Sequence, residues 1–247
     1  MKKTALIGLF ILALVVAAVL VKGTWFPSLK DAYFAMNDWS LLDAPADLAV
    51  VRPTHYAFLR RNSGINETYR PGHEAQWRTM GRDVPLRQVI AEAYEVNAVR
   101  VVMPPDAPTN NFDFLETFPA NQEQHLQAAI RQALGYTAHE ETRNREVLAL
   151  KVESPDLPGL KINKRHVRAI PWGRLVDFRV RVLVGILENR LQQPVVDETG
   201  LTNYYDFKWD FRPRDRATLD KMLAHLGLGL ESKTELLEVL VVQKEHD

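Results

Sequence analysis

The sequence predicts an α+β protein: an N-terminal transmembrane helix, then two related lobes, each a mixed or antiparallel sheet with two helices. Three observations predict it. The block Phe112 to Val152 is repeated at Tyr205 to Val242. Within both copies, apolar residues switch between a period of two and a period near 3.6, the marks of strand and helix. The chain also opens on an unbroken apolar run.

The duplication is legible residue by residue. Phe112-Asp113-Phe114 answers to Tyr205-Asp206-Phe207, and Phe118 to Phe211. Leu134-Gly135 answers to Leu226-Gly227, and Glu146-Val147-Leu148 to Glu238-Val239-Leu240. The offset is 93 positions at the front and 92 at the back, so one gap aligns the copies.

Taken in order, the chain first shows Met1-Lys2-Lys3-Thr4 and then Ala5 to Val21, with no polar side chain before Lys22. As a helix this run spans roughly 25 Å, the short end of a membrane crossing. Residues 1–22 are therefore expected to be a signal anchor, with a cleaved signal peptide and secretion as the rival. Lys2, Lys3 and the terminal amine outweigh Lys22, which puts the N-terminus in the cytoplasm and the body outside it. Residues 23–45 read as a juxtamembrane linker. Trp25, Phe26, Tyr33, Phe34 and Trp39 crowd there, and Ser28 with Asp31 can open a short helix at the membrane interface.

The first lobe is expected over 46–153. Leu48 to Val51 and Tyr56 to Leu59 read as strands, with turns at Asn62-Ser-Gly64 and Arg70-Pro-Gly72. Asp83 and Pro85 open a helix whose stripe is Leu86, Val89, Ile90, Ala93 and Tyr94. Val99 to Val102 and Phe112 to Phe118 are strands. A helix capped by Asn121 carries Leu126, Ala129, Ile130, Ala133 and Leu134, and Gly135 stops it. Tyr136 to Glu140 and Val147 to Val152 are expected to close the lobe as a hairpin.

Ser154-Pro-Asp-Leu-Pro-Gly159 separates the halves, and the second lobe is expected over 160–244. Strands at Leu160 to Ile162 and Val167 to Ile170 precede a helix from Leu175 to Leu191. Val195-Val196 is a short strand. Tyr204 to Phe211 alternates, with Tyr205, Phe207, Trp209 and Phe211 opposite Asp206, Lys208 and Asp210. Leu219, Met222, Leu223 and Leu226 form the last helical stripe, Gly227 its stop, and Leu237 to Val242 the final strand.

Composition narrows the chemistry. With 31 basic and 31 acidic residues the formal charge is zero, so nucleic acid is not expected as a partner. No cysteine is present, which rules out thiol catalysis, Cys-ligated zinc and disulfides. The seven histidines, at 55, 73, 125, 139, 166, 225 and 246, show no His-Glu-x-x-His spacing. Val196-Asp197-Glu198-Thr199-Gly200 is similar to the Asp-Thr-Gly of aspartic proteases, but Glu198 interrupts it and the first copy holds no partner aspartate. Asp197 reads instead as a turn residue bonding its own backbone. Asp113 and Asp206 occupy the polar face of their strands. No nucleophile elbow, phosphate loop or dinucleotide fingerprint occurs. Between Lys161 and Arg181 stand seven Lys or Arg residues against Asp177 alone, with Trp172 central; a solvated flank is the plainer reading of that run, and contact with anionic lipid, glycan or an acidic surface the other. These residues assign no catalytic, cofactor-binding or metal-ligating position.

The C-terminal pattern resembles a known family. Pro194 to Thr202, Tyr205-Asp-Phe207, Leu226-Gly-Leu-Gly-Leu-Glu231 and Leu237-Glu-Val-Leu-Val-Val242 carry the likeness, and Val84 to Val96 looks like its upstream helix. The family is an uncharacterised one of extracytoplasmic domains, expanded in certain soil bacteria and also appended to BlaR-like membrane metallopeptidase sensors. The likeness covers roughly residues 46 to 244. It departs at Glu198, where a Lys is common. A weaker similarity, through Leu126 to Val152 and Leu219 to Val242, is to the short N-terminal domains of secretins and TonB-dependent receptors. The resemblance implies an extracytoplasmic address and no established activity.

The expectation is thus a membrane-anchored, extracytoplasmic, non-catalytic interaction or sensing module with no cofactor. Its partners would be the membrane, through the N-terminal helix, and a protein, peptide or envelope component. The alternative is a hydrolase that gathers at least two of Asp113, Asp197, Asp206 and a histidine in a pocket between the lobes.

Overall fold

The structure, a computed structural model, describes residues 47–54, 64–70, 76–164, 167–170, 173–212 and 215–245. Two compact units emerge. One holds the described residues up to Val89 together with Thr109–Ala129; the other holds Ile90–Pro108 and the described residues from Ile130 onward.

The first unit is built on an antiparallel sheet. Its strands are β1 (Ala49–Pro53), β2 (Gly64–Arg70), β3 (Gln76–Pro85) and β5 (Asn111–Glu116), in the order β1-β5-β3-β2. Met80 and Leu115 pair directly across β3 and β5 and are packed by Leu48 and Val50. The β3–β5 register slips between Gly81 and Val84, and Asp83 sits inside that bulge at φ +54°. The chain then turns into α1 (Leu86–Ala93), with Pro85 just ahead of its first turn, where a missing N–H costs nothing. Helix α2 (Gln122–Leu134) buries Leu126, Ala129 and Ile130 at helical spacing.

The second unit has two sheets and two further helices. Strands β4 (Val101–Val102), β6 (Tyr136–Val152), β9 (Val195–Asp197) and β11 (Leu228–Lys244) form a mixed sheet in the order β4-β11-β6-β9. Strands β7 (Lys161–Ile162), β8 (Arg174–Phe178) and β10 (Tyr205–Lys208) form an antiparallel one in the order β7-β10-β8. Helices α3 (Val180–Leu191) and α4 (Arg216–Leu226) supply Val180, Leu183, Leu187, Leu219, Leu223 and Leu226 to the main core. These meet Leu148, Leu150 and Leu228 of the long strands and Leu175, Phe178, Tyr205, Phe207 and Trp209 from the small sheet and the residue after it. Each such side chain contributes about 1.5–3 kcal/mol on full burial. A smaller cluster, Val147, Leu237 and Val239, is packed by Val102, Val196 and Val241.

The duplication survives in three dimensions, but not as two self-contained lobes. The mixed sheet is common property: β6 and β11, which correspond at the 92-residue offset, pair with each other along their whole length, Tyr136 opposite Lys244 and Val152 opposite Leu228. Asn144 faces its own counterpart, Leu236. The flanking strands are exchanged. β4, from the first copy, runs parallel to β11 of the second, and β9, from the second, runs parallel to β6 of the first.

This corrects the expected fold class. Among the described residues there are four helices and three sheets, one of them drawn from both copies. Ahead of its first described helix the chain forms the strands Ala49–Pro53, Gly64–Arg70 and Gln76–Pro85, and no described helix is long and apolar enough to cross a membrane. The longest has 13 residues, about 20 Å of rise against the roughly 30 Å of a bilayer core. Among the described residues the expected single-pass topology is corrected accordingly: none of them supplies the spanning helix on which the membrane partner and the extracytoplasmic location rested. The expected helix at 1–22 and linker at 23–45 lie outside the described residues.

Two local expectations are also corrected. Tyr136–Val152 is one continuous strand rather than a hairpin. Its middle, Glu141 to Glu146, is polar because it is largely solvent-facing, not because it turns, and it holds no Gly or Pro. The helix expected from Leu175 begins only at Val180, because Arg174–Phe178 is strand β8, broken by Asp177 at φ +64°.

Candidate functional site

The carboxylates singled out by the sequence are spent on structure. Asp113 Oδ1 accepts from Thr54 Oγ1 and from the backbone N–H of Asp83, both at 3.0 Å, while Oδ2 lies 3.5 Å from Arg52 Nε. Asp206 Oδ1 accepts from Asn163 Nδ2 at 2.7 Å and from the backbone N–H of Asp177 at 3.0 Å. The two aspartates thus do the same task in each copy: each holds the N–H of an Asp whose φ is positive. Asp197 accepts from the N–H and hydroxyl of Thr199 at 3.0 and 2.6 Å, closing its own turn.

The histidines do not join them. His125 stacks on Phe118, with ring centroids 3.5 Å apart, and His139 lies 3.9 Å from Glu141. His55, His73, His166 and His246 lie outside the described residues. Among the described residues no group of three or more His, Asp or Glu side chains could hold a metal ion. The hydrolase expectation is corrected on this ground, and the membrane-anchored module on the absence of a spanning helix among those residues.

What the fold does build is a cleft between β10 and α4. Its wall is Gly173, Lys208, Trp209, Asp210, Phe211, Arg212, Thr218, Lys221, Met222 and His225, around about 730 Å³ of mostly apolar-walled space that opens widely to solvent. Each side has a local cause. On α4 the cleft residues Thr218, Lys221, Met222 and His225 share one face, each three or four positions from another of them, on a different stripe from the buried Leu219, Leu223 and Leu226. Asp215 caps that helix by accepting the Thr218 N–H at 2.8 Å, which holds its carboxyl below the usual range. Gly227, at φ +79°, ends it in a left-handed cap that a β-carbon would strain.

On the strand side, the Trp209 N–H donates to the carbonyl of Gly173 at 2.8 Å, fixing the chain where it leaves β10. The Trp209 side chain is 2% exposed, and its indole N–H meets no acceptor. A buried donor left unmet is costly, and such groups are rare. Phe211 and Met222 are half-buried and give the cleft its apolar surface.

The charges are uneven. Arg212 grips Asp210 through Nη2 at 2.7 Å and Nε at 2.9 Å, and its backbone N–H adds a third bond at 3.0 Å. The side-chain bonds first, then the backbone bond, lower the Asp210 carboxyl to about 2. Asp210 is the sole acid among the described wall residues, and it is neutralised in place. Lys208 stands directly opposite Arg174 across β10 and β8. Like charges facing each other on a sheet repel. Among the described residues neither they nor Lys221 makes an ion pair with a carboxylate, although the charge of Lys221 helps to lower the Asp215 carboxyl.

Sequence reasoning missed this cleft. Met222 is read there as a core residue of its helix, and Lys208 and Asp210 as an ordinary polar strand face. The available signals were the tight Trp-Asp-Phe-Arg run after a strand and the cationic polar stripe of α4. In the first copy the positions of Trp209 and Phe211 hold Glu116 and Phe118. Glu116 is 1% exposed, and its Oε2 also lacks a partner.

Residues 87–244, more than half of the chain, match the model of the family described as Protein of unknown function (DUF3738). No curated protein and no solved structure matches the chain.

Proposed function

We propose, for a chain that belongs to the DUF3738 family of proteins of unknown function, that it is a binding domain for a small ligand, held in the cleft between β10 and α4. One observation carries the reading: an apolar-walled cavity of about 730 Å³ bordered by the exposed Lys208 and Lys221. Cavities of roughly 300–1,000 Å³ lined by apolar side chains, with a few directed polar groups, are the usual form of a small-molecule site. Phe211 and Met222 are half-buried on the edge of the second unit's core and line the cleft, so an apolar group seated on them gains by leaving water.

The finer resemblances, to domains appended to BlaR-like sensors and to the short domains of secretins and TonB-dependent receptors, rest on the sequence patterns around Pro194–Thr202, Leu226–Glu231 and Leu237–Val242. Both settings suit a domain whose work is to bind.

The test is a titration of the protein with an apolar fluorescent dye, followed by tryptophan quenching and dye emission. Saturable binding that Met222→Glu weakens about tenfold, with the melting temperature unchanged, supports the site. Binding that survives Met222→Glu at full strength overturns it.

A further inference from the structure

We infer that the ligand of this cleft is an organic anion: an aromatic or aliphatic body seated on Phe211 and Met222, with its anionic group turned to Lys208, Arg174 and Lys221. This rests on the cleft being the ligand site, and it names what that site selects.

Three features lead to it. First, the cations around the cleft outnumber the anions available to them. Lys208 and Lys221 are both exposed lining residues, and Arg174 follows the lining residue Gly173. Register places Lys208 opposite Arg174 in the strand pair, an arrangement that repels unless an anion sits against it. The sole carboxylate among the described wall residues, Asp210, is already held through three bonds by Arg212, so it does not supply that anion.

Second, the charged groups at the rim are donors only. Lys208, Lys221 and Arg174 all donate and none accepts, so the ligand must bring the acceptor atoms. An ionised oxygen group answers both the charge and the missing acceptor.

Third, the remainder of the wall is apolar. A bare inorganic anion would leave Phe211 and Met222 wet, and a neutral apolar ligand would leave the facing cations unanswered. An amphipathic anion satisfies both halves of the surface.

The experiment exploits the absence of native cysteine. Met222→Cys places a unique thiol on the wall, and its alkylation rate reports occupancy whether or not a probe changes fluorescence. Three probes are compared on the full chain: naphthoate, its neutral counterpart naphthamide, and inorganic sulfate. Naphthoate is expected to bind and slow alkylation, naphthamide to bind about tenfold more weakly, and sulfate to protect only at far higher concentration. Added salt is expected to weaken naphthoate and leave naphthamide unchanged. In the otherwise native chain, Lys208→Glu and Lys221→Glu are each expected to abolish the preference for naphthoate while keeping naphthamide binding.

Equal binding of naphthoate and naphthamide overturns the organic-anion inference and leaves the cleft as a ligand site. Sulfate protecting as well as naphthoate also overturns it, pointing to a bare-anion site. Binding of none of them, with alkylation unslowed, overturns the inference and the cleft together.

Discussion

Asp206 accepts the backbone N–H of Asp177 at 3.0 Å, across β10 and β8, where Asp177 is wound to φ +64°. Asp113 accepts the N–H of Asp83, at φ +54°, over the same 3.0 Å. A left-handed Asp puts its N–H out of the strand ladder, and the aspartate one strand over supplies the acceptor that the ladder no longer does. Asp206→Ala is therefore expected to lower stability by about 2 kcal/mol, since it orphans a buried N–H. Asp206→Asn keeps an acceptor oxygen in place and should recover most of that loss. Urea unfolding of both variants measures it, and equal losses would contradict this assignment.

Glu188 is 3% exposed and sits between two partners: Arg100, 2.8 Å away, and the backbone N–H of Val195, which donates to Oε1 at 3.1 Å. Arg100 in turn donates to the Val195 carbonyl at 3.0 Å. The group ties the 3-10 turn of the first copy (Ala98–Arg100) to the helix and strand of the second. Glu188→Ala leaves a guanidinium and an amide unanswered, and about 3–5 kcal/mol of stability should go with it. Arg100→Met combined with Glu188→Leu should cost less than the sum of the single changes, by thermal unfolding in a double-mutant cycle.

Glu116 gives the protein a pH signature. Burial pushes its carboxyl up from 4.5 to about 7, against the lowering effect of the Phe118 N–H at 2.7 Å, with Glu123 adding to the rise. The folded protein then binds this proton more tightly than the unfolded chain does. The stabilisation is fully present below pH 4.5 and is lost as pH rises through about 7. The swing amounts to roughly 3 kcal/mol at most. Chemical unfolding measured at several pH values should show stability declining across that window, and Glu116→Gln should flatten the decline. An unchanged slope in that variant would assign the effect to another group.

Trp209→Phe separates packing from recognition. The ring stays in the core while the acceptor-less N–H disappears, so stability should hold or rise slightly. Affinity for an anionic probe should change by less than about twofold, because the indole nitrogen has no surface open to the cleft. Calorimetric titration beside a thermal melt reads both numbers, and a marked loss of affinity at unchanged stability would instead place the indole N–H in the binding site.

Much of the local grammar is legible in the residues. Leu134-Gly135 and Leu226-Gly227 mark helix ends, and both glycines do take positive φ, +69° and +79°. The apolar stripe of Leu219, Leu223 and Leu226 is buried as its spacing requires. Pairing is less legible. β4 and β9 are two and three residues long, and nothing in Val101-Val102 or Val195-Val196-Asp197 says that each will lie beside a strand of the other copy. Parallel partners are chosen by tertiary packing, not by local pattern. The cleft is hidden for a related reason. Met222 is apolar and correctly spaced for the core, yet it lines an opening, because the residues after β10 leave the sheet at Trp209 instead of continuing to Phe211.

The exchanged sheet also governs when the protein can exist at all. Among the described residues Tyr136–Val152 finds its antiparallel partner only in Leu228–Lys244, the last described strand in chain order. A nascent chain that has already made two thirds of its length therefore carries a 17-residue strand with no partner on that side. Contacts so distant in sequence form slowly, and an unpaired strand edge invites pairing with a neighbouring chain. Both copies must wait for the same closing event, so the ribosome must release Leu228–Lys244 before either can be finished.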